Sequence, residues 1–152
     1  MSLAMTKKDR ETFLADVHVG VLSIARDDGG TFTVPIWYDY EPGGEVVVVM
    51  GRGSKKDQLI QKTGRYSMCV QSETAPYKYV SAEGPVSSVA DCDVDRDLRP
   101  IARRYLEAKL ADGYVDAMIQ PGGDPVIVVR MRPERWSTVD YAKMDFWKER
   151  GA

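Results

Sequence analysis

Residues 45–64 read EVVVVMGRGSKKDQLIQKTG and contain, in succession, a predicted strand, a glycine-rich loop and a predicted helix. The strand is predicted over residues 45–50, where four consecutive valines favour burial on both faces. Ser54 is a good N-cap for the helix, and Gly64 is a typical stop. The stretch therefore predicts a strand–loop–helix unit, around which the remaining elements are placed.

Two lysines stand where a helix disfavours cations. Lys55 and Lys56 fall in the first turn, where the helix dipole opposes positive charge at a cost of roughly 0.3–1 kcal/mol each. Free backbone N–H groups at a helix start, joined by these lysines and Arg52, would bind an anion such as a phosphate. The alternative is a solvated basic corner in which Asp57 offsets the charge. The G-x-x-x-x-G-K-[ST] pattern of a P-loop is absent.

The rest of the chain alternates short apolar runs with turn residues. Helices are predicted over residues 6–15 and around residues 98–110. Strands are predicted at residues 18–26, 31–40, 45–50, 65–72, 77–88, 125–131 and 135–141. Sequential hairpins with helices in the gaps favour a small antiparallel barrel with flanking helices, because strands this apolar would otherwise leave open edges.

Composition limits the classes of function. The 152 residues suffice for a single domain, 43% are hydrophobic and 29% charged, and the net charge is −2. An acidic chain has no general field for nucleic acid, and no apolar run approaches the roughly 18–20 residues of a membrane span. With one histidine, His18, and no cysteine cluster, we expect no metal site and a cytoplasmic location. Residues 1–5 are expected to be flexible and residues 142–152 to form a tail.

Aromatic residues crowd two of the predicted strands. Trp37, Tyr38 and Tyr40 lie on the second strand, and Tyr77 and Tyr79 lie on the fifth. An aromatic platform beside a phosphate site suits a planar phosphorylated ligand. The alternative is that these rings simply fill the interior of a small barrel.

The order of these segments resembles a known family. A DDGG turn, VPIWY, VVVVMGRGSKK, GRYSMCVQ and YKYVSAEGPV follow one another as in the pyridoxamine 5′-phosphate oxidase-like, FMN-binding split β-barrel proteins. The chain is most similar to their actinobacterial branch of flavin- and deazaflavin-dependent oxidoreductases. The resemblance covers roughly residues 10–90 and the RMRPERW segment. It implies an α+β fold, namely a six- to seven-stranded antiparallel split β-barrel with flanking helices.

The resemblance also implies a cofactor site. The phosphate would be held after the third strand, at Met50, Gly51, Ser54, Lys55 and Lys56. The ring would be contacted from the second strand, at Thr33, Val34, Pro35 and Ile36. Tyr79, with Lys78 beside it, would reach the cofactor across the interface of a homodimer.

The function implied is hydride transfer to or from a small organic substrate, with FMN as cofactor or, alternatively, the 8-hydroxy-5-deazaflavin coenzyme F-420. Phe32 or Thr33 stands where the oxidases carry an arginine, which keeps the deazaflavin as a rival. The C-terminal RMRPERWSTVDYAKM contains no histidine, so a true pyridoxamine-phosphate oxidase is not expected. No catalytic residue is identified. The remaining alternatives are a non-catalytic protein that binds a flavin or haem-like ring, and an interaction domain without a ligand.

Overall fold

The computed structural model describes residues 2–151 as seven strands with helices between them. The strands are β1 (Gly20–Ala25), β2 (Thr31–Ile36), β3 (Val46–Gly51), β4 (Arg65–Gln71), β5 (Lys78–Asp91), β6 (Val126–Met131) and β7 (Arg135–Asp140). The helices are α1 (Lys7–Ala15), α2 (Lys55–Thr63), α3 (Arg99–Tyr105), α4 (Ala108–Met118) and α5 (Asp145–Lys148). A π-helical turn (Val94–Leu98) precedes α3, and a 3-10 turn (Tyr141–Lys143) precedes α5.

All seven strands belong to one curled antiparallel sheet. Its order is β2-β1-β4-β5-β6-β3, and β7 pairs with the first half of β5. The long strand β5 pairs with β4 along its first half and with β6 along its second, and its register shifts between Val86 and Ser88. The predicted α+β fold, with six to seven antiparallel strands curled into a split barrel and flanked by helices, is confirmed.

Gly84 marks the point where β5 crosses from one half of the sheet to the other. A Cβ atom at this position would lie 1.8 Å from the carbonyl oxygen of Arg132. The amide of Arg132 donates to Pro85 O at 3.0 Å, and that of Glu134 donates to Glu83 O at 2.9 Å. Glycine is therefore required here by the close approach of another backbone segment.

The barrel closes only in part. The main strand order ends at β2 and β3, and beyond the end of β2 Asp39 and Val47 exchange two backbone hydrogen bonds of 2.9 Å. This bridge ties one end of β3 to the segment that follows β2. The facing parts of the two strands are not paired, and this gap positions the site described below.

The core lies inside the curl of the sheet, and the valine run contributes only one of its faces there. Val46 and Val48 are fully buried, whereas Val47 and Val49 are half-buried. The prediction of burial on both faces is therefore only partly met, because burial alternates along β3 and Val47 and Val49 lie on the face opposite the core. Tyr38 and Tyr40 are also core residues, and the Tyr38 hydroxyl donates to Leu14 O at 2.5 Å.

The helical segment after β5 is a hairpin and not one helix centred on residues 98–110. Helix α3 ends at Tyr105, and the Glu107 carboxylate caps α4 by accepting the Leu110 amide at 2.8 Å. This N-cap starts a second helix within the predicted one. Asp93 accepts the Arg96 amide at 2.9 Å and opens the π-helical turn.

The N-terminal segment is held on β7 and is not loose. The amide of Asp140 donates to Leu3 O at 2.8 Å, and Met5, which is buried, donates its amide to Thr138 Oγ1 at 2.9 Å. Leu3 and Met5, within the segment 1–5 that was expected to be flexible, are thus hydrogen-bonded to β7. Met1 and Ala152, the ends of the predicted domain, lie outside the described residues. No helix among residues 2–151 is both long enough and apolar enough to cross a membrane.

Candidate functional site

The loop between β3 and α2 is ordered by a buried carboxylate. Asp57, in the first turn of α2, is only 2% exposed and accepts the Gly53 amide at 2.7 Å. Its own amide donates to the Ser54 hydroxyl at 3.3 Å, which confirms Ser54 as the N-cap. Gly53 has φ 77°, a conformation in which glycine is favoured. Asp57 thus shapes the loop and does not neutralise the lysines as a surface counter-charge.

Two backbone donors of this loop remain available. The Arg52 amide donates to Pro125 O at 2.8 Å and the Ser54 amide to Gly51 O at 3.2 Å. Lys55 and Lys56 occupy the first two helical positions, and within residues 2–151 their amides have no hydrogen-bond acceptor. The start of α2 therefore presents two adjacent N–H groups of the kind that bind an anion.

The ammonium groups of Lys55 and Lys56 are also unpaired. Within the part of the chain that the structure describes, neither ammonium lies within 4 Å of a carboxylate, whereas Lys62 pairs with Asp27. Arg52, the third cation of the segment, is paired with the exposed carboxylate of Asp91. Two amides and two ammonium groups thus gather at one helix start, and no carboxylate of the described chain forms an ion pair with either ammonium group.

A cavity of about 640 Å³ opens in the gap between β2 and β3. The ends of both strands form one wall, and the α3–α4 hairpin with the segment before β6 forms the other. Its lining residues are Val19, Pro35, Ile36, Trp37, Val49, Met50, Gly51, Leu98, Ile101, Tyr114, Met118, Ile119, Asp124 and Val126. The volume lies within the range of roughly 300–1,000 Å³ that is typical of small-molecule sites.

Trp37 joins the sheet to the helical hairpin at this cavity. Its ring stacks on Tyr105 with centroids 5.0 Å apart and an interplanar angle of 6°, and it packs at 53° against Tyr114. The Tyr105 hydroxyl donates to His18 O at 2.6 Å and accepts the Tyr38 amide at 3.2 Å. Burial raises the pKa of Tyr105, so the hydroxyl stays protonated and keeps this anchor.

The comparisons with known proteins are structural. No family model and no curated protein matches the chain. Among solved structures, a conserved hypothetical protein from Mycobacterium tuberculosis is similar with a TM-score of 0.72 at 20% identity, over 91% of this chain and 87% of that one. An F-420 reductase is similar with a TM-score of 0.60 at 23% identity, over 84% and 94%. A Listeria innocua protein assigned provisionally as a pyridoxamine 5′-phosphate oxidase is similar with a TM-score of 0.61 at 12% identity, over 88% and 98%.

The chain has the split β-barrel fold of the pyridoxamine 5′-phosphate oxidase-like proteins. The resemblance inferred from the sequence is thereby confirmed at the level of fold.

Within this split barrel, seven of the ten predicted site residues lie at the cavity or directly beside it. Four of them line the cavity, namely Pro35, Ile36, Met50 and Gly51. Ser54, Lys55 and Lys56 follow Gly51 directly at the start of α2. The cavity and the unpaired lysines thus adjoin one another along a single loop.

Three predicted residues lie elsewhere in the split barrel. Thr33 is exposed on the outer face of β2, within 3.3 Å of the Ser23 hydroxyl. Val34 points to the other face and packs against the core. Tyr79 is half-buried on β5, with Gln71 and Val139 as its neighbours across the sheet, and does not line the cavity of its own chain.

The helical wall of the cavity was not foreseen from the sequence. Tyr114, Met118 and Asp124 lie beyond the helix predicted around residues 98–110 and were not predicted as site residues. A signal was present, because Leu110, Tyr114 and Met118 recur every four residues and form a second apolar stripe beside the buried Ala111 and Val115. The buried stripe of α4 packs against the protein interior, and the second stripe supplies Tyr114 and Met118 to the cavity.

Proposed function

We propose that the protein is an oxidoreductase that binds FMN or the deazaflavin coenzyme F-420 and transfers a hydride to or from a small organic substrate. The observation that carries the proposal is the pair Lys55 and Lys56, unpaired among the described residues, at a helix start that adjoins an apolar cavity. A phosphorylated ligand with a planar ring matches both parts. The fold, which an F-420 reductase shares, agrees with this proposal.

The residues present fit such a cofactor. The phosphate would accept from the amides of Lys55 and Lys56, from the Ser54 hydroxyl and from the two ammonium groups. Pro35 and Ile36, across the gap, would contact the ring. A bound flavin or deazaflavin supplies the hydride chemistry itself. The task of the chain is then to bind and orient the ring and to exclude water, for which an apolar cavity wall is suited.

We further propose a cytoplasmic homodimer with the cofactor at the subunit interface. The outer face of the sheet carries a row of small uncharged side chains, in register across five strands, at Pro35, Val21, Cys69, Ser81 and Ser137. Because Pro35 also lines the cavity, a second copy on this face would lie beside the site. The proposal therefore includes Tyr79, with Lys78 next to it, as a contact to the partner's cofactor.

The test is a fluorescence titration of the apo protein with FMN and, in parallel, with the deazaflavin coenzyme. We expect saturable binding of one of them. The double variant Lys55→Ala with Lys56→Ala should weaken it by roughly 2–4 kcal/mol, or about 30- to 800-fold in Kd. The lysines hold no partner in the described chain, so the variant should fold as well as the parent protein.

The chain provides a matched control for this variant. Helix α1 begins with the same pattern, Thr6 as N-cap followed by Lys7 and Lys8, but away from the cavity lining. Lys7→Ala with Lys8→Ala removes the same charge and should leave cofactor affinity unchanged. If both double variants lower affinity equally, the effect is general electrostatics and the site is wrongly assigned. Binding of neither cofactor would favour a protein interaction domain.

A second candidate is a protein that carries a flavin or haem-like ring without turnover. It is favoured by the cavity lining, in which Asp124 and Tyr114 are the only ionisable side chains among the described residues. Repeated consumption of a reduced nicotinamide or another hydride donor by the loaded protein would exclude it. A stable complex that no donor or acceptor changes would support it.

A further inference from the structure

The cavity has two chemically different ends. One end adjoins Gly51 and the unpaired lysines of α2, where an anion is favoured. The other end lies under α4, where Tyr114 and Met118 line the wall although 37% and 59% of their surface is exposed. Exposed apolar side chains at the mouth of a cavity indicate a contact that the isolated chain does not complete. The cofactor contacts proposed above use the first end and leave the second unexplained.

The two carboxylates of α4 are directed away from this wall. Asp112 lies 3.0 Å from Arg99 and 2.9 Å from Arg103, and Asp116 lies 3.5 Å from Arg99. These ion pairs join α4 to α3. The arginine contacts hold the pKa of Asp112 below its usual range, so it stays charged and paired. With its carboxylates engaged by α3, helix α4 presents only Tyr114 and Met118 to the cavity.

The single charged side chain in the lining, among the described residues, is Asp124, and it is negative. The lining contains no lysine or arginine within that part of the chain. Asp124 lies beside the Gly51 end, because Pro125 O accepts the Arg52 amide, and the α4 end offers no cation to a ligand's carboxylate or phosphate. An uncharged ligand would bury its apolar surface against Trp37, Tyr114 and Met118 instead.

We propose that the α4 end of the cavity is the substrate subsite and that it selects a planar, apolar substrate without negative charge. This inference rests on the proposed function, because it assigns the cofactor to the opposite end. Trp37, Tyr114 and Met118 form the apolar surface of the subsite, and the lining offers an anion no cationic partner there. The two ends thus separate an anionic cofactor from an uncharged substrate within one cavity.

The test uses two ligands with the same ring and different charge, 2-naphthylmethanol and 2-naphthoate. Their binding is measured by calorimetry on the protein alone and on the protein saturated with whichever of FMN and the deazaflavin coenzyme binds. We expect the alcohol to bind about tenfold more tightly than the carboxylate in both states.

Two variants on one helix give the matched comparison. Met118 and Leu110 lie on α4 with 59% and 57% exposure, but only Met118 lines the cavity. Met118→Ala should weaken binding of the alcohol by about tenfold. Leu110→Ala should leave it unchanged. Both variants should unfold at the same urea concentration as the parent protein, because both side chains are largely in water.

The outcomes separate this proposal from the proposed function. Equal or tighter binding of 2-naphthoate would overturn it, as would equal effects of Met118→Ala and Leu110→Ala. Competition between 2-naphthylmethanol and the cofactor would overturn the separation into two ends. If the cofactor binds and 2-naphthylmethanol does not, the proposed subsite is wrong, whereas the proposed function stands. Binding of the alcohol without either cofactor would support the ligand class and overturn the proposed function.

Discussion

The buried carboxylate of Asp57 is the part of the anion site whose contribution can be worked out most directly. Replacing it with alanine leaves the Gly53 amide without its 2.7 Å acceptor, a carboxylate that is itself only 2% exposed. A hydrogen bond to a charged group contributes about 1.5–3 kcal/mol to the free energy of unfolding, and a carboxylate at a helix start adds about 0.3–1 kcal/mol. We expect Asp57→Ala to lower this free energy by about 2–4 kcal/mol.

The loop should also lose its shape in this variant, so FMN or deazaflavin affinity should fall as well. Asp57→Asn keeps an oxygen acceptor for Gly53 and removes only the charge. It should cost about 1 kcal/mol of stability and retain or strengthen binding of a phosphate, because a negative charge near the site is removed. Urea unfolding followed by circular dichroism gives the stability, and the fluorescence titration gives the affinity.

Asp9 provides the control, since it occupies the same position of α1, three residues after the N-cap Thr6, but is exposed. Asp9→Ala should cost less than about 1 kcal/mol, because only the interaction with the helix dipole is lost. Equal unfolding midpoints for Asp57→Ala and the parent protein would refute the reasoning. So would a loss of affinity in Asp57→Asn as large as that in Asp57→Ala, since the oxygen acceptor would then be irrelevant.

Two further predictions concern stability. Gly84→Ala should lower the free energy of unfolding by about 3 kcal/mol or more, since the new Cβ would lie 1.8 Å from Arg132 O. Gly113 lies in the interior of α4 with open space around it, so Gly113→Ala should raise the free energy of unfolding by about 0.5–1 kcal/mol in the same urea assay. Burial raises the pKa of Tyr66, whose hydroxyl donates to Val46 O at 3.0 Å, so above about pH 10 the unfolded chain releases a proton that the folded chain keeps. Stability should therefore decline as pH rises above about 10, and Tyr66→Phe should make that decline shallower in urea titrations between about pH 8 and 11; an unchanged slope would contradict the assignment.

The local parts of the fold followed from the sequence because their causes are local. Helix α2 begins after Ser54 and ends before Gly64, as predicted, and Gly64 has φ 65°. These limits were predictable because capping depends on a few neighbouring residues. The helix expected around residues 98–110 was wrong in its continuity, since the Glu107 cap that starts α4 competes with a helical pattern running through it.

For the candidate site, the chain order near Gly51 pointed to an anion, but the meaning of individual side chains did not follow from it. Asp57 could have been a surface counter-charge, and only its burial and its bond to Gly53 show that it orders the loop. The spacing of Tyr38 along its predicted strand was compatible with an aromatic ligand platform, whereas the structure places Tyr38 in the core. Burial depends on which distant segments pack together, and spacing along one strand carries no information about that.

The sequence by itself determined the elements, their order and the position of the unusual lysine pair, because hydrophobic period, caps and turns act over a few residues. Only the tertiary structure decided that strands β2 and β3 diverge beyond the Asp39–Val47 bridge, and that the α3–α4 hairpin covers the gap between them. The cavity joins residues from Val19 to Val126, which the chain separates by most of its length. A site made from such distant segments exists only once the sheet has curled, since its shape and its charge arise from long-range packing.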